Sequence, residues 1–510
     1  MKIVQLAAEF APFAKAGGLG EVIVGLSRQL TRQGNQVDVI IPKYDFIELS
    51  GIQMEIPDFK CLESGRLHAN TMWKVKSEEC NVHLLEARHP AGFFHRGKIY
   101  GCADDIARFI YFSRAALEYL KLRGETIDVL HLHDWHVSLC APLVKDLFAS
   151  ELAIKSILLT IHNVEYQGRC KTVDLDRIGL KGNSYLTREK LQDNDPFRHP
   201  KTINLLKGGI IYADAINAVS PTYAKEILTP QFGFHLDTTL QSVKEKLTGI
   251  LNGIDQMLWD PALDPYLTAN YNPKGSLEGV LLAKEKNKTT LRTQFNLSPK
   301  KGPWIGAVTR LAHQKGPELI EEAASQTLQL GGVFLLLGSP SSPEMQKHFE
   351  QLKTKHASSR GILIQLNYDE ALAHQIYSAL DFLIVPSLYE PCGLTQMIAM
   401  RYGTIPIVHA TGGLKDTVFD CENLSVPTLQ RNGFVFLEPT PASMNTTLGR
   451  AVHLFRANPT QFQSLIKKAL QLDFSWKKPA EEYLKLYRKI IANQAECPAD
   501  LSYTKGLDPL

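Results

Sequence analysis

"KIVQLAAEFAPFAKAGGLGEVIVGLSRQLTRQG", residues 2–34, passes from an apolar run through a glycine-rich turn into an amphipathic pattern. Strand, tight turn and helix in that order form the phosphate-cradling start of a nucleotide-binding sheet. The turn matches neither the dinucleotide fingerprint G-x-G-x-x-G nor the P-loop G-x-x-x-x-G-K-[ST]. It carries Gly17, Gly18 and Gly20 with Lys15 ahead of them. Alone it reads as an ordinary tight turn, so its meaning depends on what the rest of the chain does.

The chain goes on alternating. Short β-branched runs, "QVDVII", "VHLLEA", "DVLHLH", "IKSILLTI" and "AINAVS", are separated by helical patterns such as "DDIARFIYFSRAALEYLKLRG". At residue 304 the order restarts. "WIGAVTR" leads through "LAHQKG" into "PELIEEAASQTLQL", followed by "GVFLLLG", "GILIQL", "DFLIVPS" and "IPIVHA". Such alternation predicts an α/β fold with mainly parallel sheets. Lys15 in the first half and Lys315 in the second hold the same place between strand and helix. Between the halves, "LNGIDQMLWDPALDPYLTANYNPKG" is rich in Asn, Asp, Pro and Gly and reads as the boundary. We expect two Rossmann-like doubly wound domains, 1–255 and 256–475, facing across a deep cleft. An amphipathic helix within 476–510 is expected to pack back on the first domain, followed by a tail. Ligands of such sheets lie at the carboxyl ends of the strands.

Composition narrows the classes. A chain of 510 residues exceeds one ordinary core, and 44% hydrophobic with 21% charged residues is a globular profile. Lys and Arg exceed Asp and Glu by 56 − 53 = 3, which gives no basic field for nucleic acid. The eight cysteines never form C-x-x-C, so free thiols in a reducing cytoplasm are expected rather than a disulfide or zinc framework. "IVQLAA" is too short for a signal peptide, and Glu9 interrupts it. No apolar run approaches the ~20 residues of a membrane helix. A cytoplasmic location is the expectation.

Several residues could do chemistry. Arg310 and Lys315 in "VTRLAHQKG" follow a strand and precede a helix, which suits a diphosphate, although an isolated pair of this kind also reads as solvated surface charge. In "PSLYEPCGLTQMIAM", Glu390 lies in a strand-to-helix turn, and Gly393, Leu394 and Thr395 begin the helix with backbone N–H groups free for an anion. A carboxylate there repels phosphate, so Glu390 suits sugar hydroxyls, or else serves as a helix cap. His162 in "TIHNVEYQG" follows a buried-looking strand, as a structural histidine also would. His131, His133 and His136 in "HLHDWH" invite a zinc reading, but His131 and His133 alternate within a strand. The D-x-D triplets at 174–176 and 193–195 sit in polar, loop-rich sequence and are read as chance.

Taken in order from residue 1 to about 490, these stretches resemble the glycogen/starch synthase family of retaining glucosyltransferases. The resemblance is carried by "EFAPFAKAGGLGEV", "HLHDWH", "TIHNVEYQG", "NLLKGGIIYADAINAVSPTYAKEI", "LNGID", "VTRLAHQKG", "PSLYEPCGLTQMIAMRYGTIPIVHATGGLKDTV" and "NGF". It implies GT-B architecture, with an acceptor-side first domain and a nucleotide-sugar second domain. It implies ADP-glucose, or UDP-glucose, as donor and a glycogen or maltooligosaccharide acceptor, with no cofactor, metal, nucleic acid or membrane partner. By position, Lys15 with Gly17 and Gly18 belongs to the loop that contacts the nucleotide sugar. Arg310 and Lys315 would neutralise the leaving diphosphate, and Glu390 would hold the donor hexose. Cys392, Gly393, Leu394 and Thr395 would line sugar and phosphate, and His162 would sit near the reacting carbon. Tyr100 and Asn252 are placed near the same site.

Three positions depart from the pattern. Ala16 and Glu21 stand where the family usually has Thr and Asp, and Ile398 replaces an aromatic. Related GT-B transferases carry a second Glu at the position of Ile398. The expected chemistry is front-face substitution with retention, the leaving phosphate helping to deprotonate the incoming 4-hydroxyl. Arg310 and Lys315 supply the charge in that account. A phosphorylase would need a pyridoxal-phosphate lysine and a longer chain, and a silent sugar-binding protein would not need Lys15, Lys315 and Glu390 together.

Overall fold

Apolar runs with little alternation mark strands covered on both faces, and such strands pair in parallel. In the computed structural model, which describes residues 1–75, 80–299 and 301–495, the runs quoted above are strands. The chain divides into two compact units. The first comprises Met1–Ala218 and Ile227–Ile250 together with the helix Lys477–Ala495; the second comprises Val219–Glu226 and Leu251–Trp476.

The first unit is organised by a nine-stranded sheet. Its spatial order is Leu247–Gly249, Ala215–Ala218, Ile154–Ile161, Ile127–His133, Lys2–Leu6, Gln36–Pro42, Asn81–Arg88, Arg66–Val75 and Gln53–Glu63. Neighbours are parallel except around Arg66–Val75, which is antiparallel to both strands beside it. That edge hairpin turns at Ser64 and Gly65, both with positive φ, as a two-residue turn requires. It was not among the strands expected from sequence, because "QMEIPDFKCLE" is polar, interrupted by Pro57 and only partly buried. The helix Lys477–Ala495 belongs to this unit: Tyr483 Oη accepts from Asn217 Nδ2 at 2.8 Å, and Tyr487 Oη lies 2.9 Å from His131 Nδ1. The tail expected beyond it, 496–510, lies outside the described residues, as does Cys497.

The second unit holds six strands, all parallel: Ile362–Gln365, Val333–Pro340, Trp304–Leu311, Phe382–Val385, Ile405–His409 and Phe434–Phe436 in spatial order. Numbered along the chain this is 3-2-1-4-5-6, the Rossmann order. Strand order reverses between Trp304–Leu311 and Phe382–Val385, the point at which sheets of this order take their ligands. Among the described residues, no helix is long and apolar enough to cross a membrane.

Candidate active site

In the second unit the reversal point gathers the residues picked out in the sequence. Arg310, next to last in the strand Trp304–Leu311, is exposed and has no salt bridge among the described residues. Lys315 follows in the short 3-10 turn His313–Lys315. Glu390 lies five residues past the strand Phe382–Val385 and is 5% exposed.

Backbone contacts fasten these two loops together. Leu388 N donates to Gln314 O at 2.8 Å, and Gln314 Nε2 donates to Tyr389 O at 3.2 Å. Gly316, at φ +63°, passes so close to Pro386 O that a Cβ would lie 2.4 Å from it, which only glycine permits. The zipped loops place Lys315 Nζ 2.5 Å from Glu390 Oε2, an oxygen that also accepts from Ser387 Oγ at 2.8 Å. Both of these bonds use Oε2 and neither uses Oε1. Lys315 thus shares its charge with Glu390, whereas the exposed Arg310 does not.

The turn after Glu390 is fixed from within. Gln396 Nε2 donates to Gly393 O at 2.8 Å and to Thr417 Oγ1 at 3.0 Å, and Ser220 Oγ donates to Pro391 O at 2.7 Å. Glu390 O accepts from Gly413 N at 3.0 Å. Thr395 opens the helix Thr395–Arg401, and Leu394 at its cap supplies no side-chain hydrogen bond. Burial pushes the Cys392 thiol up to about 12, so it stays a neutral lining group. Asn252 belongs to this unit and touches Cys392 through its backbone N–H. Its Oδ1 is buried with no hydrogen-bond partner, an acceptor that lacks a donor.

In the first unit strand order reverses between Lys2–Leu6 and Ile127–His133, and the loops that follow carry the other candidates. Glu9 organises the glycine turn. Its Oε2 accepts from Ala16 N at 2.7 Å and Gly17 N at 3.1 Å, while Oε1 accepts from Tyr100 Oη at 2.7 Å. Glu9 was not singled out in the sequence, although an acidic residue directly after a buried strand is the signal that marks it. Lys15 Nζ pairs with Glu21 Oε1 at 2.7 Å. Glu21 therefore reaches back to the lysine of its own loop from the first turn of the helix Gly18–Arg32. Gly17 is extended, at φ −159°, and a Cβ there would meet nothing within 4 Å. Nothing in the unit itself requires glycine at that position.

His162 follows the strand Ile154–Ile161. Its backbone N–H donates to Asp134 Oδ1 at 2.7 Å, and its Nε2 lies 3.0 Å from His133 Nδ1. Burial drives its imidazole down to about 3, and pushes the Asp134 carboxyl up to about 7 despite two backbone N–H bonds. Asp134 itself sits at φ +62°, ψ −178°, a strained conformation for a residue with a side chain.

The three histidines of "HLHDWH" do not converge. His131 Nε2 meets Thr160 Oγ1 at 2.7 Å, His133 Nε2 meets Gln5 Oε1 at 3.0 Å, and His136 stacks near Tyr100 and Trp135. Among the described residues, Glu63, His68 and His89 come within metal-binding distance of one another. However, His89 Nδ1 accepts from Ala91 N at 3.1 Å, which leaves the proton on the nitrogen that would have to bind. Both D-x-D triplets are engaged by the protein: Asp174 and Asp176 accept from Lys171 N and Gly182 N, and Asp193 pairs with Arg169 at 2.5 Å.

Residues 2–242 match the family described as Starch synthase catalytic domain, and residues 289–454 match Glycosyl transferases group 1. The chain is 42% identical over 504 residues to a glycogen synthase of Protochlamydia amoebophila (strain UWE25), covering 96% of this chain and 100% of that protein. It is 39% identical over 504 residues to glycogen synthase 1 of Nitrosococcus oceani, covering 96% and 99%. Among solved structures, the catalytic domain of starch synthase IV from Arabidopsis thaliana, bound to ADP and acarbose, is 42% identical with a TM-score of 0.92, covering 96% of this chain and 99% of that one.

Proposed function

The chain belongs to the glycogen and starch synthase family of glycosyltransferases, and from that membership we propose that it elongates an α-1,4-glucan by transferring glucose from ADP-glucose, with UDP-glucose as the alternative donor. The observation that carries this reading is the cluster of Arg310, Lys315 and Glu390 at the reversal point of a 3-2-1-4-5-6 sheet. A nucleoside diphosphate needs cations at such a point, and a hexose needs a carboxylate beside them. The ADP and acarbose held by the starch synthase IV domain support the same ligand classes here.

The transfer breaks the bond between sugar C1 and the diphosphate oxygen and forms one from C1 to the incoming O4 on the same face. The proton of the 4-hydroxyl passes to the departing phosphate oxygen. Negative charge grows on that phosphate, where Arg310 and Lys315 act; preorganised charge is most effective where charge develops. Glu390 Oε1 accepts from hexose hydroxyls, and the unpartnered Oδ1 of Asn252 takes another donor beside Cys392. The backbone of Gly393, Leu394 and Thr395 lines the phosphate. Lys15, Gly17, Gly18 and Glu21 are assigned to the nucleotide sugar, Tyr100 to holding their loop through Glu9, and His162 to the transferred glucose. The open space at Gly17 fits a ligand that approaches the backbone there.

The test is release of ADP from ADP-glucose in the presence of glycogen, run beside UDP-glucose and followed by chain-length analysis of the glucan. Faster turnover with ADP-glucose and longer chains are expected. Nucleotide release without elongation would reject the synthase reading, and faster turnover with UDP-glucose would reassign the donor.

A further inference from the structure

Behind His162 runs a hydrogen-bonded line of fully buried side chains. Ser27 Oγ accepts from Gln5 Nε2 at 2.8 Å, Gln5 Oε1 lies 3.0 Å from His133 Nε2, and His133 Nδ1 lies 3.0 Å from His162 Nε2. Gln5, Ser27 and His133 are each 0% exposed, so water offers no substitute partner. A carbonyl oxygen only accepts. Gln5 Oε1 therefore requires the His133 proton on Nε2, which leaves His133 Nδ1 as an acceptor. That acceptor in turn requires the His162 proton on Nε2, and His162 Nδ1 is left bare. Burial keeps both rings neutral, with one proton each to place, and lowers His162 to about 3. The direction of every bond in the line follows from the orientation of one amide.

We propose that Gln5 and His133 are positioning residues that hold His162 in its Nε2–H tautomer, so that it offers Nδ1 as an acceptor to a hydroxyl of the transferred sugar. This rests on the proposed placement of His162 at the donor glucose. It adds a specificity: the site takes a substituent that donates a hydrogen bond and rejects one that only accepts. Neither Gln5 nor Ser27 belongs to a recognisable catalytic motif, and their part emerges only when strand Lys2–Leu6, helix Gly18–Arg32 and strand Ile127–His133 are assembled.

Nitrogen-15 NMR of the full chain labelled at histidine reads the tautomer without reference to turnover. A protonated Nε2 and bare Nδ1 at His162 are expected in the wild type, and a protonated Nδ1 would overturn the proposal. Gln5→Met removes the acceptor; it is expected to mix the His162 tautomers and lower kcat about tenfold, the worth of one misdirected hydrogen bond, with KM for the nucleotide sugar little changed. Gln5→Glu keeps an acceptor toward His133 and is expected to restore the tautomer. Should Gln5→Met not fold, Ser27→Ala frees the amide to turn and is expected to show the same mixing. An unchanged tautomer in a folded Gln5→Met or Ser27→Ala variant overturns the proposal. Full turnover in His162→Ala would instead reject the role of His162 in transfer, while the tautomer assignment would still be decided by NMR.

Discussion

Lys315→Ala tests whether the second unit acts by charge. The Lys315 ammonium lies 2.5 Å from Glu390 Oε2, an oxygen that also accepts from the Ser387 hydroxyl at 2.8 Å. Removing Lys315 leaves a carboxylate that is 5% exposed without its counter-charge. Breaking a fully buried pair costs about 3–5 kcal/mol. The Lys315 side chain is 18% exposed, so water reaches the gap and we expect about 1–3 kcal/mol. Turnover should fall further than stability explains. One preorganised group facing developing charge contributes about 2.7–4 kcal/mol, or roughly 10²–10³ in kcat.

The double variant Lys315→Ala with Glu390→Gln separates the two effects. The amide carries no charge to leave stranded, so the double variant should recover most of the lost stability and none of the lost turnover. Denaturant unfolding and ADP release at saturating donor and glycogen give the two readouts. Wild-type turnover in Lys315→Ala would refute the electrostatic account. A double variant no more stable than the single would refute the coupling of the pair. Arg310→Ala is the natural control: exposed and without an ion pair among the described residues, it should change stability by less than about 0.5 kcal/mol while still lowering kcat.

Gly17→Ala should leave stability unchanged, since its Cβ would meet nothing within 4 Å, yet raise the donor KM; Gly316→Ala, whose Cβ would lie 2.4 Å from Pro386 O at positive φ, should lower thermal stability outright. Tyr100→Phe removes the hydrogen bond to Glu9 Oε1 and should cost roughly 1–2 kcal/mol in denaturant unfolding, with donor KM rising more than kcat falls. Asp134 has its carboxyl raised to about 7, against about 3.9 in an unfolded chain. The folded state thus keeps a proton that the unfolded state releases, and the stability this gives at low pH is lost as pH rises toward 7. Asp134→Asn keeps the acceptor for the two backbone N–H groups and escapes that loss. Its stability relative to wild type should therefore grow by on the order of a few kcal/mol between about pH 5 and about pH 8, read by urea unfolding; a constant difference would show that Asp134 is ionised throughout.

The parallel strands were legible because a strand buried on both faces is nearly all apolar. "IKSILLTI" is a strand over Ile154–Ile161 as read. The hairpin of Gln53–Glu63 and Arg66–Val75 was not, since it lies at the sheet edge, where polar residues and Pro57 are tolerated and alternation is weak. At the site, cations and a carboxylate at strand ends were legible because their position in the α/β alternation implies a ligand. Gln5, Ser27 and Glu9 were not. Gln5 acts through Ser27 and His133, 22 and 128 positions away, and Glu9 ties the nearby glycine turn to Tyr100, 91 positions away. A lone glutamine inside a strand pattern gives no hint of the ring it will face. Lys15 and Glu21 show the same limit in reverse: both were named, but their mutual pairing at 2.7 Å depends on how the turn enters the helix.

The two units also divide the chemistry by charge. The second presents Arg310, Lys315 and Glu390, the groups proposed above to meet a diphosphate that gains negative charge as it leaves. The first presents His131, His133, His136 and His162, all driven far below the ordinary histidine range by burial. A histidine row near a sugar would be harmful if it were cationic, because the carbon that loses its phosphate gains positive charge and would be repelled. Burial removes that hazard. The imidazoles remain neutral across the physiological range, so that His162, in the role proposed for it, orients a hydroxyl without opposing the transition state. Under the proposed function, charge serves the leaving group and neutral imidazole the transferred sugar, while Gln5 and Ser27, themselves uncharged, set the direction of the His133–His162 pair.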